Sequence, residues 1–525
     1  MNDKKQKTIL VTGGAGFIGS HLCDRLIGMG DKVICVDSFF SGRKENIKHL
    51  LDNKNFTFIK HDIRRPLRLN GEKIERIYNL ACPASPVQYQ FDPMLTLETN
   101  ILGVGNMLQL ARRLGSRFLQ TSTSEVYGDP LEHPQKEIYY GNVNTLGERA
   151  CYDEGKRAAE TLCKDYYIEH GVNARIVRIF NTYGPRMMFN DGRVLSNFIL
   201  QALLNEDITV HGDGEQTRSF MYVDDLTRAL VSVMEKDGLD YNPINLGNPD
   251  ERTIKNMAEL VKTKTNSQSR LIYLPFESLH GRIGDPQRRC PDITRAKVLL
   301  EWDPAVNLED GLKKTIEDFR NRLKNLPRVL VFSTSYLPIC GPAEEAVKNI
   351  IDRAQGWEFD IITAKFDSKL ASKSHNGREH IYRLGFGNRW DKFLLPVRAA
   401  FFARKLSKKY DYQSAWAIMA SYGAFAAVIF SWLTRSRTPF LLSVYEGDIT
   451  EKMTKRGMWL FWIYKIIFRK ACRWQVVGKI NEQQKAWLEE EKKAQTVKFD
   501  GEWDLLAKRT KEMFQELEIL STRSQ

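Results

Sequence analysis

The sequence has no C-x-x-C pair: its eight cysteines are scattered singly. That argues against a zinc ribbon or a disulfide framework, and a reducing cytosol fits best. The first residues, Met1-Asn2-Asp3-Lys4-Lys5-Gln6-Lys7, have no apolar signal core, so export is not expected and a cytoplasmic location is. Although the formal net charge is +13, no stretch of the basic C-terminal part combines a dense basic stripe with interleaved aromatics in a recognisable nucleic-acid motif. Nucleic acid is therefore not the expected partner.

What is present is a chain of 525 residues, 42% apolar and 27% charged, long enough for two or three domains with sizeable cores. The positive charge is uneven. From Pro327 onward there are 33 basic and 22 acidic residues, so the surplus belongs mainly to the last two hundred positions, where anionic lipid or a sugar nucleotide suits it.

An apolar run, Thr8-Ile9-Leu10-Val11, leads into Thr12-Gly13-Gly14-Ala15-Gly16-Phe17-Ile18-Gly19, and residues 20–27 then have helical periodicity. Strand, glycine loop and helix in that order is the context of a dinucleotide fingerprint: glycines admit a pyrophosphate, and the helix amino terminus meets its charge. A second strand, Lys32-Val33-Ile34-Cys35-Val36, delivers Asp37. An acid there suits the adenosine ribose hydroxyls and opposes a 2′-phosphate, so NAD is expected rather than NADP. Further strand-like segments at 56–59, 76–80, 117–120 and 175–179 alternate with helical ones. The pattern predicts an α/β fold with a parallel sheet covered on both faces, its ligands at the carboxyl ends of the strands near Asp62, Ile63, Ala81, residues 121–125 and Asn181.

Tyr152 and Lys156 lie four residues apart, on one face of a helix. A nearby ammonium favours the phenolate, and the spacing therefore predicts a tyrosine able to take a proton from a sugar hydroxyl. The spacing alone is common on solvated helices. Upstream, Thr121-Ser122-Thr123-Ser124-Glu125 supplies hydroxyls that either cap the backbone or orient a substrate, and a carboxylate beside a cofactor pocket.

Together with Arg178-Ile179-Phe180-Asn181-Thr182-Tyr183-Gly184-Pro185-Arg186, these motifs resemble the extended short-chain dehydrogenase family acting on nucleotide sugars. Residues 8–320 are most similar to its UDP-glucuronate decarboxylase (UDP-xylose synthase) branch. The resemblance rests on Cys82-Pro83-Ala84-Ser85-Pro86, 150–157, 187–193, Gln216-Thr217-Arg218, Asn245-Leu246-Gly247-Asn248-Pro249 and 285–292. It departs at Thr145, Glu148 and Cys290, none of which carries the implied chemistry. Ser124 before Glu125 follows the decarboxylase pattern; 4,6-dehydratases place Asp-Glu after the threonine, and 4-epimerases lack the glutamate.

The resemblance implies oxidation of the sugar at C4, loss of carbon dioxide from the 4-keto sugar, and re-reduction to UDP-xylose on a recycled NAD. Tyr152, Lys156, Thr123, Ser124, Glu125 and Arg289 are the implied catalytic residues. Gly13, Gly16, Phe17, Ile18, Gly19, Asp37, Asp62, Ile63 and Ala81, with Tyr152 and Lys156, would hold the cofactor. Tyr89, Asn181, Arg186, Arg193, Gln216 and Arg218 would hold the UDP-sugar. Glu125 and Arg289 are expected to moderate each other, and a homodimer is implied. The alternative activities are those of a nucleotide-sugar 4-epimerase or 4,6-dehydratase.

The strand pattern restarts after residue 326, with Arg328-Val329-Leu330-Val331-Phe332 and strand-like runs at 358–363 and 380–384. Residues 328–480 resemble the amino-terminal half of a GT-B glycosyltransferase, with Gly341-Pro342-Ala343-Glu344 replacing the usual double glycine. The expected domains are therefore 1–326, 327–480 and a charged helical tail, 481–525. No sequence remains for a donor-binding half, so this part is read as a docking module for a membrane or partner, a subunit completed by another chain, or a remnant. Residues 412–434 are uncharged, long enough for a membrane span; a strand, a turn and a packed helix is the favoured reading, with another strand from Leu441. Residues 458–470 combine aromatics with a basic end, as a core helix or as a helix lying on the inner face of a membrane.

Overall fold

Ile9, Leu10 and Val11 are all fully buried, and a strand hidden on both faces belongs in a parallel sheet between layers of helix. The computed structural model describes residues 6–275 apart from 70, 72 and 190. It also describes 288–445 apart from 340, 355–356, 377, 420 and 435–437, and then 466–467, 471, 473–477, 494–497, 510 and 513. The chain divides into two compact units, 1–321 and 322–525.

The first unit is built on β1 (Thr8–Thr12), α1 (Phe17–Gly28), β2 (Lys32–Asp37), β3 (Phe56–Lys60), β4 (Arg76–Asn79), β5 (Arg117–Thr123), α2 (Ala150–His170), β6 (Ala174–Ile179) and β7 (Ile244–Leu246). The sheet order is β3-β2-β1-β4-β5-β6-β7, and every pairing is parallel. Alternate residues of β1 serve opposite layers: Ile9 and Val11 pack with Leu22, Leu226 and Trp302, Leu10 with Ile77, Met107 and Phe118. The strand order reverses between β1 and β4, which opens a crevice at their carboxyl ends.

In the main sheet one strand end lies more than a residue from expectation, and one strand was not anticipated. β5 continues through Thr121, Ser122 and Thr123 because the first two hydroxyls find partners on neighbouring elements: Thr121 donates to the Asn79 carbonyl of β4 at 3.0 Å and Ser122 to Glu160 of α2 at 2.5 Å. β7 is only three residues long, too short for its periodicity to be read. Beyond the main sheet, Thr217–Ser219 pairs antiparallel with Glu251–Thr253 and parallel with Arg288–Arg289, which sets Arg289 opposite Arg218. Asp285, Pro286 and Gln287 of the family-like run lie outside the described residues.

The second unit contains β8 (Arg328–Phe332), α3 (Pro342–Arg353), β9 (Glu358–Ala364), β10 (Lys373–Asn376), β11 (Glu379–Leu384), α4 (Asp391–Leu406), β12 (Tyr412–Ile418), α5 (Tyr422–Leu433), β13 (Phe440–Tyr445), β14 (Arg473–Val477) and β15 (Ala494–Val497). Its order is β10-β11-β9-β8-β12-β13-β14-β15, parallel except for the β10/β11 pair. The same doubly wound order, out from a central first strand and then back across it, is thus used twice. The uncharged run 412–434 is β12 followed by α5, not one helix. Met419 has a left-handed φ of 60°, and Ser421 accepts from Thr334, in the loop after β8, at 3.0 Å. Among the described residues no helix is long and apolar enough to cross a membrane. At the start of α3, Glu344 accepts from Ser335 at 2.7 Å and from the Gly341 amide at 3.0 Å, so the Gly-Pro-Ala-Glu segment holds its own loop. Residues 446–448, most of 458–470 and almost all of the tail after 480 lie outside the described residues.

Candidate active site

The glycine loop between β1 and α1 forms one wall of a cavity of about 300 Å³ at the switch point. Gly13 has φ +67°, and a Cβ there would lie 2.8 Å from the Ala81 amide nitrogen; at Gly19 it would lie 2.1 Å from the Gly13 carbonyl oxygen. Only glycine permits this close approach. At the end of β2, Asp37 accepts from the amides of Ala15 at 3.0 Å and Phe39 at 2.8 Å. Burial raises its carboxyl above the usual range, against the lowering effect of those amides. A glycine cradle at a helix amino terminus and a carboxylate at the end of the second strand fit the pyrophosphate and adenosine ribose of a dinucleotide.

The opposite wall is made by β5 and α2. Thr123 accepts from the Glu125 amide at 3.2 Å, turning the chain sharply so that Ser124 and Glu125 line the cavity. Tyr152 and Lys156 enter from the first two turns of α2, and both are buried. The Tyr152 ring stacks on Tyr89 at 4.9 Å with an interplanar angle of 9°.

The spacing argument for an activated phenol is corrected here. The Lys156 ammonium lies 5.9 Å from the Tyr152 ring centre, while its hydrogen bond goes to the Thr121 carbonyl at 2.9 Å. Burial is the dominant influence and drives the Tyr152 phenol well above its ordinary value; the hydrogen bond with Thr123 and the charge of Arg193 act in the other direction. Sharing a helix face does not suffice to lower a pKa when the phenol is desolvated.

Glu125 is held at both oxygens. Arg289 donates from Nη1 to Oε1 at 2.6 Å and from Nη2 to Oε2 at 3.0 Å. Arg149, immediately before α2, also donates to Glu125 Oε2. Asp153, one turn into the helix, is buried beside this group. Its carboxyl is raised to about 7 by burial and by the charge of Glu125, and is lowered by Arg149 and Arg289. The folded state therefore binds a proton that the unfolded chain releases above its ordinary pKa, and stability from this group falls as pH rises toward 7. Asp153→Asn is expected to gain thermal stability relative to the parent protein as pH rises from 5 to 8. Melting curves across that range check it, and a constant difference would contradict it.

Every residue expected to contact cofactor or substrate lines the cavity except Gln216. Gln216 donates instead to the His211 carbonyl at 2.8 Å, securing the end of the short strand Ile208–His211. Asn181, Arg186, Arg193 and Arg218 all reach the cavity. Arg186 is drawn to the glycine-loop side, where it pairs with Asp24 of α1 at 2.7 Å, and Arg193 bonds the Ala84 carbonyl at 2.9 Å. Asp62 pairs with Arg64 at 2.7 Å. Among the lining residues that were not anticipated are two arginines: Arg43, which directly follows Gly42 beyond the acidic end of β2, and Arg149. Arg149 stands just outside the Tyr-x-x-x-Lys motif, and its position before a helix carried the only available signal.

Residues 10–315 match the family model described as GDP-mannose 4,6 dehydratase. Among curated relatives, UDP-glucuronic acid decarboxylase 1 of Arabidopsis thaliana is 55% identical over 322 residues, 61% of this chain and 72% of the relative. UDP-glucuronic acid decarboxylase 1 of Danio rerio is 53% identical over 325 residues, 62% of this chain and 75% of the relative. Among solved structures, a Bacillus cereus UDP-glucuronic acid 4-epimerase in complex with UDP-glucuronic acid and NAD is similar at TM-score 0.53 and 29% identity. It covers 60% of this chain and 99% of its own. The glycine cradle, the strand order and these matches agree, and the chain belongs, through residues 10–315, to the GDP-mannose 4,6-dehydratase family of short-chain dehydrogenase fold.

Proposed function

We propose that the first domain, residues 1–326, decarboxylates UDP-glucuronate to UDP-xylose with a bound, recycled NAD. The observation that carries this reading is Glu125, clasped by Arg289 and Arg149 next to Tyr152. The decarboxylase names of the relatives at 53–55% identity support it.

Gly13, Gly16, Phe17, Ile18 and Gly19 would hold the cofactor pyrophosphate, Asp37 its adenosine ribose, and Asp62, Ile63 and Ala81 the adjoining wall. When bound, NAD supplies a reversible acceptor for the hydrogen at C4 of the sugar. Tyr152 takes the proton of the 4-hydroxyl, with Thr123 and the charge of Arg193 offsetting the burial that opposes a phenolate. Lys156, anchored on the Thr121 carbonyl, stands 5.9 Å from the centre of the ring. Once C4 is a ketone, the C6 carboxylate is β to a carbonyl, and the C5–C6 electron pair can leave carbon dioxide for an enolate. Protonation at C5 and reduction at C4 then complete a cycle that consumes one proton and no reductant.

Arg289 and Arg149 are the cations nearest to Glu125, and Glu125 limits their attraction for the substrate carboxylate. A guanidinium gripping that carboxylate at full strength would stabilise the ground state, which hinders departure as neutral carbon dioxide. Ser124 and Glu125 position the sugar. Arg186, Arg193, Arg218, Asn181 and Tyr89 hold the UDP-sugar, basic groups suiting its diphosphate.

Purified protein given UDP-glucuronate is expected to release carbon dioxide without added reductant and to yield a product with the mass and stereochemistry of UDP-xylose. Formation of UDP-galacturonate would replace this reading with a 4-epimerase; unchanged UDP-glucuronate together with a 4-keto-6-deoxy product from UDP-glucose would replace it with a 4,6-dehydratase.

The reading includes a cytoplasmic homodimer. Exposed apolar Val87, Met94 and Leu102, on successive helical segments of the first unit, support it. The second unit is read as a GT-B-like, non-catalytic docking module in peripheral contact with a membrane, supported by the basic surplus after residue 327.

A further inference from the structure

Helix α4 has two apolar faces, although a surface helix needs only one. Leu395, Ala399, Ala403 and Leu406 are buried in the core of the second unit. On the other side Phe393, Val397 and Phe401 follow one another at four-residue spacing, each about half exposed, with Leu394 beside them. The loop before the helix adds Trp390, 74% exposed, and Phe386, 69% exposed. The stripe spans about 12 Å along the helix from Phe393 to Phe401 at 1.5 Å per residue. An apolar patch of this kind on a described surface marks a binding face.

Its charge identifies the partner. Between Phe386 and Lys409 there are seven lysines and arginines against a single acid, Asp391. That acid does not offset them at the surface: it is buried and accepts from the amides of Phe386, Gly387 and Asn388. Cations stand directly against the exposed rings, Arg398 at 4.4 Å from the centre of Phe386 and Lys392 at 5.0 Å from that of Phe393. Aromatic rings rimmed by long cationic side chains suit the headgroup boundary of an anionic bilayer, where the rings sit among acyl chains and the cations among phosphates. Stacking of bases on the same rings would need them arranged along a groove, and the stripe lies on a helix face instead.

We infer that the outer face of α4, with Phe386 and Trp390, is a docking surface for an anionic lipid bilayer, on which the helix lies without crossing. This deepens the membrane-contact reading of the second unit and is independent of the decarboxylation chemistry.

The test is flotation of the full-length protein with vesicles of phosphatidylcholine alone and with one third phosphatidylglycerol. The parent protein is expected to float only with the anionic vesicles and to be released by high salt. A triple variant, Trp390→Ser, Phe393→Ser and Phe401→Ser, is expected to bind at least tenfold more weakly, as is the charge variant Lys392→Glu with Arg398→Glu, which keeps every apolar side chain. Far-UV circular dichroism and a melting curve that match the parent show that the second unit of both variants remains folded, and carbon dioxide release is expected to be unchanged because none of these residues belongs to the catalytic cavity. Flotation of both variants equal to the parent would overturn the α4 surface while leaving membrane contact standing. Flotation with neither vesicle, or tighter binding to a single-stranded oligonucleotide than to anionic vesicles, would overturn both.

Discussion

Tyr152→Phe is expected to lower the rate of carbon dioxide release by about 10³-fold, within the range that removal of a positioned acid–base group produces. The substitution removes one oxygen and leaves the ring stacked on Tyr89 at 4.9 Å. It therefore leaves the packing of α2 against the short helix Pro86–Phe91 intact. Losing the phenol's interaction with the Thr123 hydroxyl costs no more than about 1 kcal/mol, and burial already disfavoured any charge on the phenol. Fold and cofactor content should then survive while catalysis does not. The measurement is single-turnover carbon dioxide release, with the melting temperature and bound dinucleotide determined on the same sample. A rate within tenfold of the parent would remove Tyr152 as the group that handles the 4-hydroxyl proton.

The sheets were legible because continuous Val, Ile, Leu and Phe runs such as 9–11 and 329–332 have one physical solution, burial on both faces. Strand ends were less so. Thr121, Ser122 and Thr123 read as residues beyond the strand end, yet Asn79 of β4 and Glu160 of α2 satisfy the first two. The glycine cradle and Asp37 were readable because backbone approach and ribose binding act over a fixed local spacing. Arg149 was not, because its significance depends on Glu125, 24 residues away along the chain. The same limit misplaced Gln216, two positions before Arg218 yet turned to the His211 carbonyl. Nor did helical spacing reveal that Lys156 bonds a β5 carbonyl and that burial dominates at Tyr152.

Glu125→Gln is expected to lower kcat about 10²-fold while lowering KM for UDP-glucuronate several-fold. An amide has the shape of the carboxylate but one acceptor oxygen and no charge. It cannot satisfy Arg289 at both oxygens and Arg149 as well, as Glu125 does. A guanidinium released from Glu125 gains attraction for the substrate carboxylate, so binding tightens where it opposes the departure of carbon dioxide. A fall in both constants is the signature of added ground-state stabilisation. Removing one partner from a buried ion group ordinarily costs about 3–5 kcal/mol, but here a replacement anion is at hand. Asp153 is raised to about 7 by burial and, second, by Glu125. Without the Glu125 charge its carboxyl should move down and ionise at neutral pH, restoring a negative charge near the two guanidiniums without occupying their hydrogen-bonding groups. The stability loss should therefore be smaller at pH 8 than at pH 5, and adding Asp153→Asn should abolish that difference. Should KM rise instead, with kcat unchanged, Glu125 would be a substrate-binding group and would not restrain the two arginines.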